Sequence, residues 1–388
     1  MPTTNNTALT SIKLLPQPTK RPIISAIYKA TPKDFIVNEI LSLDFSNQGE
    51  HLWLLIKKTA LNTTYVANAL AKWAKIPSRD VGYSGLKDRH AITTQWFSLR
   101  IPTGQLPAHP FAIKDTENSE FAEVVQQHWH RKKLNRGSHK FNQFIIRLRD
   151  VQGNKNQIEQ VLSTIKKQGV PNYFGEQRFG HDGNNIATAL EWFEQGTIYG
   201  KPVHIGSKKG RLSKKDKQIE HKNRALQSIL LSAARSAIFN QILAKRVNDG
   251  SWLTGMNGEV FNLAGSGSVF QTKQLDEVLR KRLHKQDIHP TGAMWGIPNE
   301  KSSPQGQALA IELDVIHNDE VLQRLANGLQ TQHIKSARRP LRLLVHHLSW
   351  HWQNETTLTL DFRLPAGSFA TSVLAGLIQS PTCPSLYG

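Results

Sequence analysis

Segments with the pattern of β-strands and segments with the pattern of helices are mixed along this chain without a regular βαβ repeat, which favours an α+β fold. Apolar runs and period-two alternation predict strands over residues 35–40, 51–57, 141–151 and 357–365. At 388 residues the chain exceeds the usual size of one domain, so we expect a second domain or a large insertion.

Apolar residues at three- and four-residue spacing predict the helices. They indicate helices over residues 63–76, 157–168 and 226–242, and a last helix that begins near Gly367 and Ser368. A side-chain oxygen of Asn62 or Thr63 can cap the first of these helices. Gly169 is typical of a residue that ends a helix, here the second one.

The chain is strongly basic, with 49 Lys and Arg residues against 30 Asp and Glu and a formal charge of +19. A surplus of this size favours a polyanionic partner through counterion release, and nucleic acid is the leading candidate. The Lys-rich stretch over 201–224 is either an RNA-contacting arm or a solvated linker. No stretch approaches the roughly 20 apolar residues of a spanning helix, so we expect no membrane partner.

The single cysteine, Cys383, excludes an internal disulfide and a structural zinc site built from thiolates. Residues 1–22 are polar and interrupted by prolines, so we expect a loose tail rather than a secretory signal. An organellar transit peptide is the less favoured alternative, because this stretch has few arginines. These features indicate a protein of the cytoplasm.

A Gly-rich segment over 82–96 sets one carboxylate, Asp88, between Lys87 and Arg89. A Lys-Asp-Arg-His tetrapeptide by itself is more often a solvated turn than an active site, because Asp is common in turns. The wider segment, however, matches the pattern G-x-K-D-x-x-A-x-T-x-Q. The matching positions are Gly85, Lys87, Asp88, Ala91, Thr93 and Gln95.

Four further segments carry patterns that occur together with this one. They are residues 29–39, with Pro32, Asp34, Phe35, Val37 and Glu39; the N-x-F of Asn142 and Phe144; residues 171–180; and residues 364–373. Five motifs in this order, over nearly the whole chain, resemble those of the TruD family of tRNA pseudouridine synthases.

The resemblance implies an architecture that periodicity alone does not reveal. It predicts a discontinuous pseudouridine synthase catalytic domain from residues 1–168 and 343–388, with a mixed, largely antiparallel sheet. An α/β insertion domain of the family type is expected to interrupt it over residues 169–342. A monomer is expected, since the sequence shows no coiled-coil heptads.

The resemblance also implies a reaction, the isomerisation of uridine 13 in the D-arm region of tRNA to pseudouridine without a cofactor. Asp88 is then the essential residue, acting as nucleophile at C1′ or C6 of the uridine or as base at C2′. The sequence leaves these routes open. Lys29 of the first motif is expected close to Asp88, where a cation lowers the pKa of the carboxyl group; a surface position for Lys29 is the alternative.

Five further residues are candidates for substrate binding. Phe144 can stack on the uracil turned out of the RNA, although its alternating apolar run also fits an ordinary core residue. Asn142 is expected to orient the loop or the base edge, and Lys87 and Arg89 to point to phosphate. Phe369 packs either on the target site or on the sheet.

Other sites and other classes of protein fit less well. The i, i+4 histidine pair within His346, His347 and His351 lacks the carboxylates of a helical metal site, so we expect no metal. The LAGSGSVF segment lacks the features of a dinucleotide or phosphate loop, so we expect no nucleotide. A nucleobase N-glycosidase and a non-catalytic RNA-binding protein remain as alternatives, but glycoside hydrolysis generally uses a second carboxylate.

Overall fold

The computed structural model describes residues 11–117, 119–202 and 214–384. The strands are β1 (Ile23–Tyr28), β2 (Phe35–Ile40), β3 (His51–Thr59), β4 (Val81–Tyr83), β5 (Ile92–Arg100), β6 (Ala112–Asp115), β7 (Glu120–His130), β8 (Phe141–Gly153), β9 (Val170–Pro171), β10 (Thr197–Ile198), β11 (Lys201–Pro202), β12 (Val260–Leu263), β13 (Val269–Gln271), β14 (Ile288–Met294), β15 (Ala337–Pro340), β16 (Arg342–Leu343), β17 (His346–Asn354), β18 (Thr357–Pro365) and β19 (Ile378–Thr382). The helices are α1 (Thr63–Trp73), α2 (Lys155–Gln168), α3 (Asn184–Gln195), α4 (Lys214–Asn248), α5 (Glu277–His284), α6 (Gly306–His317), α7 (Glu320–Thr331) and α8 (Ala370–Leu377).

The chain forms two compact units. The first unit consists of residues 21–168, 344–370 and 377–384. The second unit consists of the described residues of 11–20, 169–343 and 371–376. The division falls near residues 168 and 343, whereas residues 11–20 and 371–376 belong to the second unit rather than to the first.

The first unit contains an eleven-stranded mixed sheet. Eight strands run in the order β17-β18-β8-β2-β5-β3-β7-β6, while β1 joins β8 to β19 and β4 pairs with β5. The β2–β5 and β1–β19 pairs are parallel, and the others are antiparallel. The α+β class and the largely antiparallel sheet expected from the sequence are therefore confirmed.

Helix α1 buries its apolar stripe against this sheet. Val66 and Leu70 are fully buried and pack with Leu54 and Phe97 of the sheet in one cluster. The predicted cap is confirmed, because the Asn62 side chain accepts a hydrogen bond of 2.8 Å from the backbone N–H of Tyr65. This cap fixes the start of α1, and the residues around it support the loop that carries Asp88.

The second unit combines a four-stranded antiparallel sheet, in the order β13-β12-β14-β15, with α3, α4, α6 and α7. The 35-residue α4 buries the apolar stripe that the sequence indicates, including Leu230, Ala237 and Ile242. No helix in the described ranges is both long enough and apolar enough to cross a membrane.

Two expectations about the ends of elements need correction. The tail is not loose where the structure describes it: Ile12 and Leu15 are buried, and the Tyr173 hydroxyl donates to the Pro16 carbonyl at 3.0 Å. Residues 1–10 lie outside the described residues. The last helix begins at Ala370, three residues later than Gly367, because the backbone at Gly367 has φ +80°.

The basic stretch over 201–224 is only partly described. Residues 203–213 lie outside the described residues, and so do the side chains of 214–222. Its role as an RNA-contacting arm therefore stays a prediction.

Candidate active site

Asp88 lies in the loop between β4 and β5, and two neighbouring elements hold the backbone of that loop. The Gln95 side-chain amide, on β5, donates to the Gly85 carbonyl. The Thr63 hydroxyl, at the start of α1, accepts the Lys87 backbone N–H at 2.9 Å and donates to Gln95 Oε1 at 3.1 Å. Thr63 and Gln95 are buried, so the loop rests on fixed side chains rather than on solvent.

The Asp88 carboxylate has two partners and remains partly accessible. Its Oδ2 forms an ion pair with Lys29 Nζ, and its Oδ1 accepts the His90 backbone N–H at 2.9 Å. Burial favours the neutral acid, but the charge and hydrogen bond of Lys29 outweigh it and lower the pKa of Asp88. With 29% of its side chain exposed, Asp88 presents an ionised carboxylate that a substrate can reach.

Lys29 approaches Asp88 from an unusual backbone conformation. It follows β1 with φ +56°, a left-handed conformation that is unfavourable for a residue with a Cβ atom. Its Nζ lies 4.3 Å from the ring centroid of Phe35, and only 10% of its side chain is exposed. The surrounding structure thus directs this ammonium inward to the carboxylate.

Asp34 anchors the turn that follows Lys29. Its carboxylate accepts the Thr31 backbone N–H at 3.0 Å, and Arg149 of β8 donates two hydrogen bonds to it at 2.7 and 3.0 Å. Burial opposes ionisation, but the bonds from Arg149 and Thr31 prevail and lower the pKa of Asp34. This first-motif residue therefore fixes the Lys29 segment to the sheet.

Lys87 does not point to phosphate, contrary to the expectation from sequence. Its Nζ lies 2.7 Å from Glu39 Oε2, and only 5% of the Lys87 side chain and none of the Glu39 side chain is exposed. Glu39 Oε1 also accepts the Trp96 backbone N–H at 3.3 Å. A buried ammonium that is already paired with a carboxylate cannot contact the RNA backbone. Lys87 instead fixes the Asp88 loop to β2 through its ion pair with Glu39.

A second buried lysine, Lys58 at the end of β3, was missed by the sequence reasoning. It is fully buried, and its Nζ donates to the carbonyls of Leu61 at 2.6 Å and of Asp88 at 3.3 Å. Burial lowers its pKa to about 8, although the charge of Asp88 acts in the opposite direction. Period-two alternation could have found it, because Lys58 shares the inward face of β3 with Leu54 and Ile56.

Asn142 belongs to a buried polar chain beside the Lys87–Glu39 pair. Its Nδ2 donates to His139 Nε2 at 3.1 Å, and His139 Nδ1 lies 2.5 Å from the Ser84 hydroxyl. Burial and the nearby Lys87 lower the pKa of His139 to about 4, so the imidazole is neutral at neutral pH. Within the described residues, Asn142 Oδ1 is buried and has no hydrogen-bond partner.

Phe144 lies within the aromatic layer of the sheet. It is 7% exposed, and its ring centroid lies 6.1 Å from that of Phe35 and 5.5 Å from that of Phe362, in edge and stacked geometries. Phe35 in turn carries the ammonium of Lys29 over its ring. Most of the Phe144 ring is therefore committed to the core, and stacking on a base stays a prediction that depends on its remaining surface.

The other two candidates lie nearer the surface. The Arg89 side chain is 56% exposed, its Nε donates to the Ala60 carbonyl at 2.8 Å, and its Nη2 lies 3.4 Å from Glu120 Oε1. Phe369 is half-buried and directly precedes α8. Their contacts with RNA remain predictions.

The histidine-rich segment forms the edge strand β17, not a helix. His347 and His351 are therefore two strand repeats apart, a spacing too wide for two ligands of one ion. Among the described residues there is no cluster of three His, Cys, Asp or Glu side chains that could hold a metal ion.

Known proteins resemble this chain in sequence over most of its length. The family model of tRNA pseudouridine synthase D (TruD) matches residues 18–190 and 210–377. The tRNA pseudouridine synthase D of Psychrobacter arcticus is 50% identical in an alignment that covers 94% of this chain and 93% of that protein. The protein of the same name from Xanthomonas axonopodis pv. citri is 41% identical, with 94% and 95% covered.

A solved structure supports the fold. The crystal structure of a Methanosarcina mazei protein named as tRNA pseudouridine synthase D superposes with a TM-score of 0.65 and covers 95% of this chain and 97% of that chain. At 18% sequence identity, this likeness concerns the fold alone. Together with the family model and the curated relatives, it leads to one conclusion: the chain belongs to the TruD family of tRNA pseudouridine synthases, which are isomerases that modify tRNA.

Proposed function

We propose that this enzyme converts uridine 13 of tRNA to pseudouridine without a cofactor, with Asp88 as the nucleophile or base. One observation carries the proposal: an ionised, partly exposed carboxylate is held against the Lys29 ammonium in a loop fixed by buried side chains. The proposed active site lies in the first unit, and the second unit is the proposed insertion domain.

The reaction breaks the bond from C1′ to N1 of uracil, turns the base, and forms a bond from C1′ to C5. C5 loses a proton and N1 gains one, so the conversion consumes no water and involves no net oxidation. An ionised Asp88 can attack C1′ or C6, or remove the C2′ proton, and the lowered pKa keeps it in the required form. Lys29 holds the carboxylate in position and balances its charge.

Asn142 is the proposed contact of the uracil. Its buried Oδ1, which lacks a partner within the described residues, is an acceptor suited to an N–H donor of the base edge. A buried polar atom without a partner is costly, and a bound base would remove that cost. Phe144 would contact the base through its small exposed surface.

The position within tRNA and the setting of the enzyme are part of the same proposal. We infer that the D-arm region is bound, that the protein works in the cytoplasm, and that it acts as a monomer. The family membership supports tRNA as the substrate, and the charge of +19 suits a polyanion.

The test uses unmodified tRNA transcripts that carry C5-tritiated uridine, incubated with purified protein without metal or nucleotide. We expect tritium release by the wild-type protein and almost none by Asp88→Ala. Asp44→Ala is the matched control, because Asp44 is an exposed carboxylate of the same unit. A transcript with cytidine at position 13 should release no tritium.

Each contrary result has a definite meaning. Near-wild-type release by Asp88→Ala would rule out Asp88 as the catalytic carboxylate. Free uracil in place of pseudouridine would identify an N-glycosidase. Tight tRNA binding without any release would identify a protein that binds RNA without modifying it.

A further inference from the structure

One face of α4, in the second unit, collects arginine side chains from three separate segments. Ser232, Arg235 and Phe239 follow one another at three- and four-residue spacing, so they share this face over about 10 Å of helix. Arg178 donates to the Ser232 hydroxyl at 2.9 Å, and the Arg339 guanidinium lies 5.6 Å from the Phe239 ring centroid.

The ring of Phe174 holds two of these guanidinium groups together. The Cζ atoms of Arg339 and Arg178 lie 4.1 and 5.2 Å from its centroid, so both contact the same buried ring. Arg339 also donates from Nη2 to Asn172 Oδ1 at 2.5 Å. The guanidinium of Arg339 is therefore held by an aromatic stack and a neutral amide.

Arg235 and Arg339 have no carboxylate partner among the described residues. Arg235 Nη2 donates to the carbonyls of Met294 at 3.0 Å and Lys335 at 3.3 Å, and Arg339 donates only to oxygens of Asn172. Burial lowers the pKa of both groups, that of Arg339 to about 9, but at neutral pH both remain charged.

Arg338, which precedes Arg339 on β15, does have a carboxylate partner. Arg338 faces the other side of the strand, where it lies 2.7 Å from Glu312 Oε1 in a buried ion pair. Two successive arginines thus differ in charge balance: one is neutralised by the protein, and the other is not. A guanidinium group that is half-buried, as in Arg235, or more deeply buried, as in Arg339, is unfavourable without a counter-ion until an anion from outside supplies the missing charge.

We propose that Arg235 and Arg339, with Arg178 beside them, bind a phosphodiester group of the RNA substrate. The planar guanidinium fork matches the oxygens of a phosphate, and the aromatic stack holds the Arg339 fork in place before RNA arrives. The inference rests on the proposed function only in taking RNA as the ligand.

The test measures the dissociation constant of an unmodified tRNA transcript at several salt concentrations for Arg235→Gln, Arg339→Gln and the wild-type protein. Each variant should weaken binding about tenfold at low salt and reduce the slope of log K against log salt by about one. Arg324→Gln is the matched control, because Arg324 lies in the same unit and is paired with Glu194 at 2.6 Å. This control should change the slope little.

Unfolding temperatures of the variants show whether a loss of affinity reflects a loss of structure. Arg235→Gln still tests the proposal if Arg339→Gln fails to fold, because the side-chain hydrogen bonds of Arg235 within the described residues go only to two backbone carbonyls. Slopes equal to that of Arg324→Gln would overturn the proposal. If inorganic phosphate raises the wild-type unfolding temperature but the RNA slopes stay equal, the site binds a small anion instead, which also overturns it. This test measures tRNA binding and not turnover, so its result can be interpreted even if the tritium-release assay shows no activity.

Discussion

Two lysines of the first unit and two arginines of the second have different kinds of partner. In the first unit, Lys29 and Lys87 each contact a carboxylate. In the second unit, the hydrogen bonds of the Arg235 and Arg339 side chains within the described residues go only to carbonyl and amide oxygens. The second unit can also build buried pairs, as Arg246 shows at 2.7 Å from Glu259. The difference therefore belongs to particular sites, not to the composition of a unit.

The comparison separates two uses of a buried positive charge. A lysine paired with a carboxylate fixes the geometry of the loop that carries Asp88, the proposed reactive group, and removing the lysine leaves an anion without its counter-ion. An arginine with neutral partners keeps most of its attraction for an anion, so its removal should affect ligand binding more than folding. The substitutions below test this distinction, and the first of them should change the protein most.

Lys87→Met should destabilise the fold by about 3–5 kcal/mol, because it leaves the fully buried Glu39 carboxylate without its counter-ion. Urea unfolding at pH 7 measures the change. Arg324→Gln, which breaks an exposed pair with Glu194, should cost less than about 1 kcal/mol. Similar losses in the free energy of unfolding for the two variants would mean that the buried pair stabilises the fold no more than the exposed pair does.

Lys29→Met should lower kcat by about 100-fold while the affinity for tRNA stays close to that of wild type. The reason is that Asp88 loses the cation that keeps its pKa low and holds its Oδ2. Lys33→Met is the control, since Lys33 is an exposed lysine of the same segment. A fall in affinity without a fall in kcat would place Lys29 in RNA binding instead.

Lys58→Met should lower kcat by about tenfold with little change in tRNA affinity, because the loop carbonyl of Asp88 loses its buried donor. The pH dependence of kcat should distinguish the loss of the Lys58 charge from the loss of its hydrogen bonds. The neutral amine retains two N–H groups, so deprotonation near pH 8 should reduce wild-type activity less than the substitution does. Lys57→Met, at the exposed neighbouring position of β3, should behave like wild type.

Between pH 7 and pH 5, the free energy of unfolding of His139→Gln should fall by about 2 kcal/mol less than that of the wild-type protein. The folded-state pKa of about 4 lies below the ordinary value of 6.5, so between these values the unfolded chain takes up a proton that the folded chain excludes. Stability therefore falls as the pH falls through this window. Urea unfolding at both pH values measures the slope, and the exposed His109→Gln serves as control.

The elements were largely predictable from local pattern. Strands β2, β3, β8 and β18 and helices α1 and α2 lie where period-two alternation and helical spacing indicate them. The start of α8 was placed three residues early, because the turn at Gly367 continues the chain in a non-helical conformation. The N-terminal stretch was misjudged, since burial of Ile12 and Leu15 depends on residues far away in sequence.

The sequence indicates the proposed reactive group of the candidate site, but not the side chains that hold it in place. The motif around Asp88 named the carboxylate, and the first motif named Lys29 as its neighbour. The prediction that Lys87 points to phosphate was wrong, because its partner Glu39 lies 48 residues away in the sequence and no local pattern indicates the pair. The neutral His139 was not found either, since nothing next to it in sequence indicates the buried hydroxyl of Ser84.

The fold class, the family resemblance and the candidate carboxylate follow from the amino-acid sequence, because they depend on local spacing and on motifs with few equivalents. Which cations are neutralised, in contrast, depends on the three-dimensional structure. Burial and pairing are set by residues that meet across the sheet and along α4, and the energy of a charge depends on its distance from the opposite charge. Lys87 and Arg339 are both basic residues, yet Lys87 is paired with a carboxylate, whereas within the described residues Arg339 forms hydrogen bonds only with the neutral oxygens of Asn172.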